Sequence, residues 1–199
     1  MQNEGLYRKN RELENKIAGI LDGERLTHTM ETAKMARKLA EKFAVDPEKA
    51  YRAGLLHDIA KGMNEKDMFE ILRNSSWTPD HWEKEIIALL HAPASAARAE
   101  REFGINDLEI LEAIRFHTTG YAGMEKLTAI IFLADKIEPG RDYPGSEKAR
   151  KDLQFDFFQA LTTVCNNTIN FLLENDCPIH PSTILLRNYL LRRKQGNDR

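Results

Sequence analysis

Apolar residues recur along the chain at intervals of three and four, the spacing that gathers them on one face of an α-helix. Leu13, Ile17, Ile20 and Leu21 form a first stripe; Thr32, Met35, Ala36, Leu39, Ala40 and Phe43 form a second, longer one. Asp46-Pro47 reads as an N-cap followed by an N1 proline, opening a helix that turns Ala50, Ala53 and Leu56 inward and ends at Gly62. Asn64 caps a short helix carrying Met68, Phe69, Ile71 and Leu72, and residues 74–80 are a loop by composition. Further helices are predicted over 82–90, from Pro93 to Gly104, from Asn106 through Phe116 and over 126–137. One long helix is expected over 147–174 with Phe157, Phe158, Leu161 and Val164 inward, and a last one from Ser182 into the polar tail RRKQGNDR. Loops are marked by Gly120 and Gly123 at 118–125 and by PGRDYPGS at 139–146. No convincing period-two strand and no repeat interrupts the pattern, so the expected fold class is all-α, a single-domain bundle of about nine or ten helices.

A chain of 199 residues buries roughly 70% of its extended surface, enough for an apolar core without staples. Residues 1–20 are expected to be an N-terminal helical extension and 21–195 the domain proper. The 42% hydrophobic and 30% charged content excludes a disordered chain or a fibre. With 29 Lys and Arg against 31 Asp and Glu there is no basic face for nucleic acid, although a small phosphate-binding cleft remains open. Apolar runs such as 129–134 fall far short of the roughly 20 residues that span a bilayer. The start MQNEGLYRKN lacks the apolar stretch of a signal peptide, and Cys165 and Cys177 are too few for a disulfide framework. The expectation is a cytoplasmic protein with no nucleic-acid or membrane partner. Segment 8–21 and the helix after Glu147 can pack within the chain or against a second copy, which leaves a homodimer open.

Chemistry enters where polar residues interrupt apolar faces. His57 lies in the small-residue stripe Ala50, Ala53, Ala60, where other helices can approach closely, and Asp58 shares a face with Gly54 and Lys61. His28 lies in line with Thr32, Met35 and Leu39, and His117 with Ile110 and Ile114. Asp135 sits inside AIIFLADKI, where a carboxylate is costly to bury unless paired or metal-bound. His91 ends the apolar run IIALL, whereas His81, in the loop TPDHW, reads as surface. Any one of these histidines alone is more often an ordinary core or surface residue. All of them on apolar faces together is far less ordinary. Four imidazoles and two carboxylates suit Fe, Mn, Zn or Co rather than a bare Mg site, and six ligands fit two adjacent metals with open positions. Arg25, Lys61, Arg115, Lys136 and Arg141 lie within a few residues of these ligands, as a phosphorylated substrate would require. Thr118, Thr119 and Gly120 offer hydroxyl and backbone hydrogen bonds. His180-Pro181-Ser182-Thr183 precedes a helix, whose N-terminus is a ready anion site; Ser182 as a plain N-cap explains that stretch nearly as well.

The order His28, His57-Asp58, Asp135 resembles the H…HD…D pattern of HD-domain phosphohydrolases, and the extra His91 and His117 resemble the branch with a two-metal site. AGLLHDIAKGM (53–63), FHTTGYAGM (116–124), IFLADKIEPGRDY (131–143) and IHPSTILLRNYL (179–190) resemble the YqeK family of bacterial symmetrical diadenosine tetraphosphatases. The resemblance runs from about Arg25 to Leu190 and implies an HD fold, a di-iron centre and cleavage of diadenosine tetraphosphate at its middle into two ADP. By position it implies metal ligands at His28, His57, Asp58, His91, His117 and Asp135, with manganese or cobalt also suiting the donors. It implies nucleotide and phosphate contacts from Arg25, Lys61, Thr118, Thr119, Arg141, His180, Pro181, Ser182 and Thr183. The expected mechanism is attack of a metal-bridging hydroxide on a central phosphorus, with Asp58 bridging the metals, His91 and His117 completing the catalytic set, and Lys61 and Arg141 compensating charge. Rival readings are another HD phosphohydrolase, acting on a nucleoside monophosphate or guanosine tetraphosphate, and a non-catalytic dinucleotide- or ADP-binding module. A cyclic-dinucleotide phosphodiesterase is disfavoured because Gly120-Tyr121 is followed by Ala122 rather than proline.

Overall fold

Local capping chemistry starts the helices close to where the pattern places them. The Asp46 carboxylate accepts from the backbone N–H groups of Glu48 and Lys49, and Asn64 accepts from that of Asp67. In this computed structural model, residues 2–194 are described, and all their regular structure is helical. The order is α1 (Gln2–Ala18), α2 (Gly23–Lys42), α3 (Pro47–Leu56), α4 (Glu65–Arg73), α5 (His81–Glu85), α6 (His91–Phe103), α7 (Leu108–Arg115), α8 (Lys126–Ile137), α9 (Pro144–Phe155), α10 (Phe157–Glu174) and α11 (Pro181–Lys194). A 3-10 turn at Ile87–Leu89 links α5 to α6. No helix among the described residues is long and apolar enough to cross a membrane.

The helix α8 is the axis of the bundle. Ten of its residues, from Leu127 to Ile137, are buried, as expected of a helix apolar nearly all round. It packs against α2, α3, α7, α9 and α10. Ile130, Ile131, Phe132 and Leu133 share the interior with Leu55, Leu56, Leu111 and Ile114. The small-residue stripe does what its composition predicts. An added Cβ on Gly54 would lie 2.6 Å from the Ala33 Cα, so only glycine lets α3 sit this close to α2. Ile17 of α1 is fully buried, and Tyr51 donates to Glu14 at 2.8 Å, which pins α1 to α3.

Several expected boundaries move. The long helix over 147–174 is two helices, because Asp156 adopts extended backbone and its carboxylate caps α10 through the N–H groups of Phe158 and Gln159. Phe158 consequently stays partly exposed rather than inward. With α9 and α10 separate, the described residues hold eleven α-helices rather than nine or ten, and the helix over 82–90 shortens to α5 followed by the 3-10 turn. Asp107 rather than Asn106 caps α7, α6 opens at His91 rather than after Pro93, and Pro181 rather than Ser182 begins α11. The helix expected to run to Gly62 ends at Leu56, with His57 as its C-cap. Residues 57–63 continue in tighter turns, with Ile59 N bonded to Leu56 O, Lys61 N to Asp58 O and Met63 N to Ala60 O.

Candidate metal centre

All six proposed ligands meet. His28 comes from α2, His57 and Asp58 from the turns that close α3, His91 from the first residue of α6, His117 from the turn after α7, and Asp135 from the last turns of α8. Three overlapping groups each place ligand atoms within 4.8 Å of one another: His28, His57 and Asp58; His57, His117 and Asp135; Asp58, His91 and His117. Four of the six side chains, His57, Asp58, His117 and Asp135, are buried almost completely, and His28 and His91 reach the surface slightly.

Asp58 divides the cluster into two halves. Its Oδ1 faces His91 Nε2 at 3.1 Å and His117 Nε2 at 3.3 Å. Its Oδ2 faces His57 Nε2 at 3.5 Å and His28 Nε2 at 3.8 Å. Asp135 closes the second half, with Oδ1 3.0 Å from His28 Nε2 and 3.7 Å from His57 Nε2.

The proton positions follow from the other ring nitrogens. His57 Nδ1 lies 2.7 Å from Gly54 O, His91 Nδ1 2.7 Å from Ala88 O, and His117 Nδ1 2.8 Å from Ile114 O. A carbonyl only accepts, so each Nδ1 carries a proton and each ring turns its Nε2 to the centre, the atom a neutral imidazole offers to a metal. The Nε2 atoms of His91 and His117 sit 3.2 Å apart beside an Asp58 Oδ1 that is buried without a hydrogen-bond partner. Imidazole nitrogens and carboxylate oxygens converging in this way fit divalent metal ions, which need deprotonated donors and a fixed outer shell.

Electrostatics keeps both carboxyls ionised and His117 neutral, while Asp58 and Asp135 raise His57 against its own burial. Burial works against ionising Asp58, but His57 and the close approach of His117 and His91 outweigh it and hold the carboxyl well below its ordinary range. Asp135 is held low against the same burial by Lys136, His28 and His57. Burial, reinforced by His57 and His91, pushes His117 down to about 4, so it is a neutral donor at pH 7.

Cations stand at the mouth. Lys61 Nζ is 2.7 Å from Asp58 Oδ2, Arg141 Nη2 is 2.9 Å from Asp135 Oδ1, and Lys136 pairs with Asp135. Lys61 and Arg141 keep 43% and 34% of their side-chain surface exposed, so both can reach an incoming anion. Arg25 is exposed and donates to Lys61 O at 3.0 Å. The Thr118 hydroxyl, next to His117, is buried without a partner. Gly120 takes positive φ, and a Cβ there would strike Leu186, so the turn after His117 depends on glycine.

The remaining candidates are engaged in holding the scaffold. His180 accepts from Ser182 N–H through Nδ1 and lies 2.9 Å from Asp80 Oδ2 through Nε2, which caps α11 and ties it to the start of α5. Thr183 donates to Thr119 O at 3.1 Å, and Pro181 is the first residue of α11. Arg115, expected near a phosphate, is buried instead, and both its terminal nitrogens bind Glu83. Glu83 was not singled out in the sequence, nor was Glu138, whose Oε1 lies 3.1 Å from His28 Nδ1.

Comparison with known proteins places this geometry. The HD domain model matches residues 25–140. The symmetrical bis(5'-nucleosyl)-tetraphosphatase of Bacillus subtilis is 39% identical, over 84% of this chain and 89% of that protein. Its counterpart in Halalkalibacterium halodurans is 41% identical over the same shares. A crystal structure of a predicted HD superfamily hydrolase involved in NAD metabolism, from Clostridium acetobutylicum, superposes with a TM-score of 0.87 at 35% identity. That match covers 92% of this chain and 97% of the other.

Proposed function

The chain belongs to the HD-domain family, and from that premise we propose that it is a metal-dependent hydrolase cleaving diadenosine tetraphosphate symmetrically into two ADP. The observation that carries this is the Asp58 carboxylate shared between two sets of imidazoles, in a chain this similar to two symmetrical tetraphosphatases. We assign two ions, iron foremost, with manganese or cobalt also suited to mixed imidazole and carboxylate donors. Ions held there would supply Lewis acidity toward phosphoryl oxygens and toward water.

The chain's own residues do the rest. His28, His57 and Asp135 would hold one ion, His91 and His117 the other, and Asp58 would serve both. Lys61 and Arg141, leaning on the two carboxylates from the mouth, turn to the phosphate oxygens of the substrate and offset charge that builds on them. Arg25 and the Thr118 hydroxyl extend this grip along the polyphosphate, and the 180–183 segment supports the Thr119 backbone.

Product analysis tests the assignment. Incubation with ferrous iron and diadenosine tetraphosphate, resolved by anion exchange, is expected to yield ADP alone and nothing after chelation. AMP with ATP in equal amounts overturns the symmetrical cut. Lys61→Ala is expected to slow turnover about a hundredfold while metal content stays at the wild-type level; metal loss in that variant would make Lys61 a support of the centre instead.

A further inference from the structure

Three of the four imidazoles at the centre find their Nδ1 acceptor locally, three residues back along the chain. They can do so because they stand at helix ends, where carbonyls are left free. His28 cannot. It lies inside α2, where the carbonyl three residues earlier is already committed to the helix. Its acceptor comes from 110 residues away: Glu138 Oε1, at 3.1 Å. Glu138 is only 2% exposed, directly follows the end of α8, and accepts the Gly140 N–H through its other oxygen. Arg141 Nε lies 3.7 Å from Oε1, and the Thr32 hydroxyl lies 3.5 Å from His28 Nδ1.

We propose that Glu138 is a positioning residue of the metal centre: it fixes His28 as an Nε2 ligand and makes the position bounded by His28, His57 and Asp135 the tighter of the two. A carboxylate acceptor strengthens the donor power of an imidazole more than a neutral carbonyl does. It also adds a negative charge to one half of the cluster only. His91 and His117, backed by carbonyls, have no such support. The two halves are therefore unequal, and the inequality originates outside the ligand set.

This inference rests on the two-metal reading above, and one experiment separates them. Cobalt(II) is loaded into the wild type and into Glu138→Ala, and a competing chelator is titrated in. The wild type is expected to release two ions in separate steps. In Glu138→Ala the tighter step weakens by about 10- to 100-fold and the other step stays where it was. Proton NMR of the cobalt protein assigns the step through the exchangeable, paramagnetically shifted imidazole N–H signals. The His28 signal, identified by its loss in His28→Ala, moves or exchanges away in Glu138→Ala while the other three persist. Unchanged release and unchanged signals overturn the proposal, as does equal weakening of both steps, which would mark Glu138 as general scaffold. If Glu138→Ala does not fold, Glu138→Gln keeps an uncharged acceptor and is expected to weaken the same step less; no change there also overturns it. A wild type that binds no cobalt defeats the two-metal reading and this inference together, whereas two ions held identically in wild type and variant defeat only the inference.

Discussion

Asp58→Ala is expected to strip both metals from the protein and to lower turnover at least about a thousandfold, the equivalent of roughly 4 kcal/mol of transition-state stabilisation. The expectation follows from the carboxylate's two faces. Oδ1 lies beside His91 and His117, and Oδ2 beside His57 and His28, so no other single ligand touches both halves through different atoms. Removing it leaves each half with imidazoles and, on one side only, the Asp135 carboxylate. Asp58→Asn sharpens the test, because a carboxamide retains one acceptor oxygen and no charge; it is expected to keep at most one ion. Metal content of the purified variants, read beside turnover, checks this. Full turnover with two ions in Asp58→Ala would remove Asp58 from the bridge. Folding is checked separately, by melting the chelated wild type and variants, so that metal loss is not mistaken for unfolding.

The convergence of the six candidate ligands was legible because His28, His57, His117 and Asp135 read as polar residues on apolar faces, an arrangement with few stable explanations. The spacing around His57 also revealed its neighbours: small residues there mean close helices, and Gly54 against Ala33 is that contact. Less legible were features set by tertiary partners. Arg115 reads as a cation near a ligand, and only the fold shows Glu83 taking both its nitrogens. Glu138 reads as the residue before a helix-stopping proline, and its carboxylate acquires meaning only when α2 is laid beside the end of α8. His180 carries the same lesson: the signal for a helix start was genuine, yet its imidazole is occupied by Ser182 and Asp80. The break at Asp156 was missed because no glycine or proline marks it; an aspartate inside an apolar run can cap a new helix as well as decorate an old one.

Glu83→Ala is expected to cost about 3–5 kcal/mol of stability, because it leaves the Arg115 guanidinium buried and unpaired. In a chain of this size that lowers the melting temperature by roughly 10 °C. Glu83 is 1% exposed and Arg115 7%, and one of the two hydrogen bonds between them is 2.6 Å long. Glu83 also accepts the Asp80 N–H at 2.9 Å, completing the capping box of α5, so part of the loss is the cap itself. Glu83→Ala with Arg115→Met separates the two contributions. An apolar pair removes the stranded charge, so the double variant is expected to be more stable than Glu83→Ala alone, short of wild type by about the 1 kcal/mol of the lost cap. Urea melts of the single and double variants measure this; a double variant as unstable as the sum of the singles would mean that the two charges are not coupled. The pair matters to the centre because of where it stands. Glu83 lies in α5, which leads through the 3-10 turn into His91, and Arg115 ends α7 immediately before the turn that carries His117. One buried ion pair therefore fixes the spacing of the two imidazoles that face Asp58 Oδ1. Loosening it is expected to weaken the ion held by His91 and His117 while sparing the one beside His28.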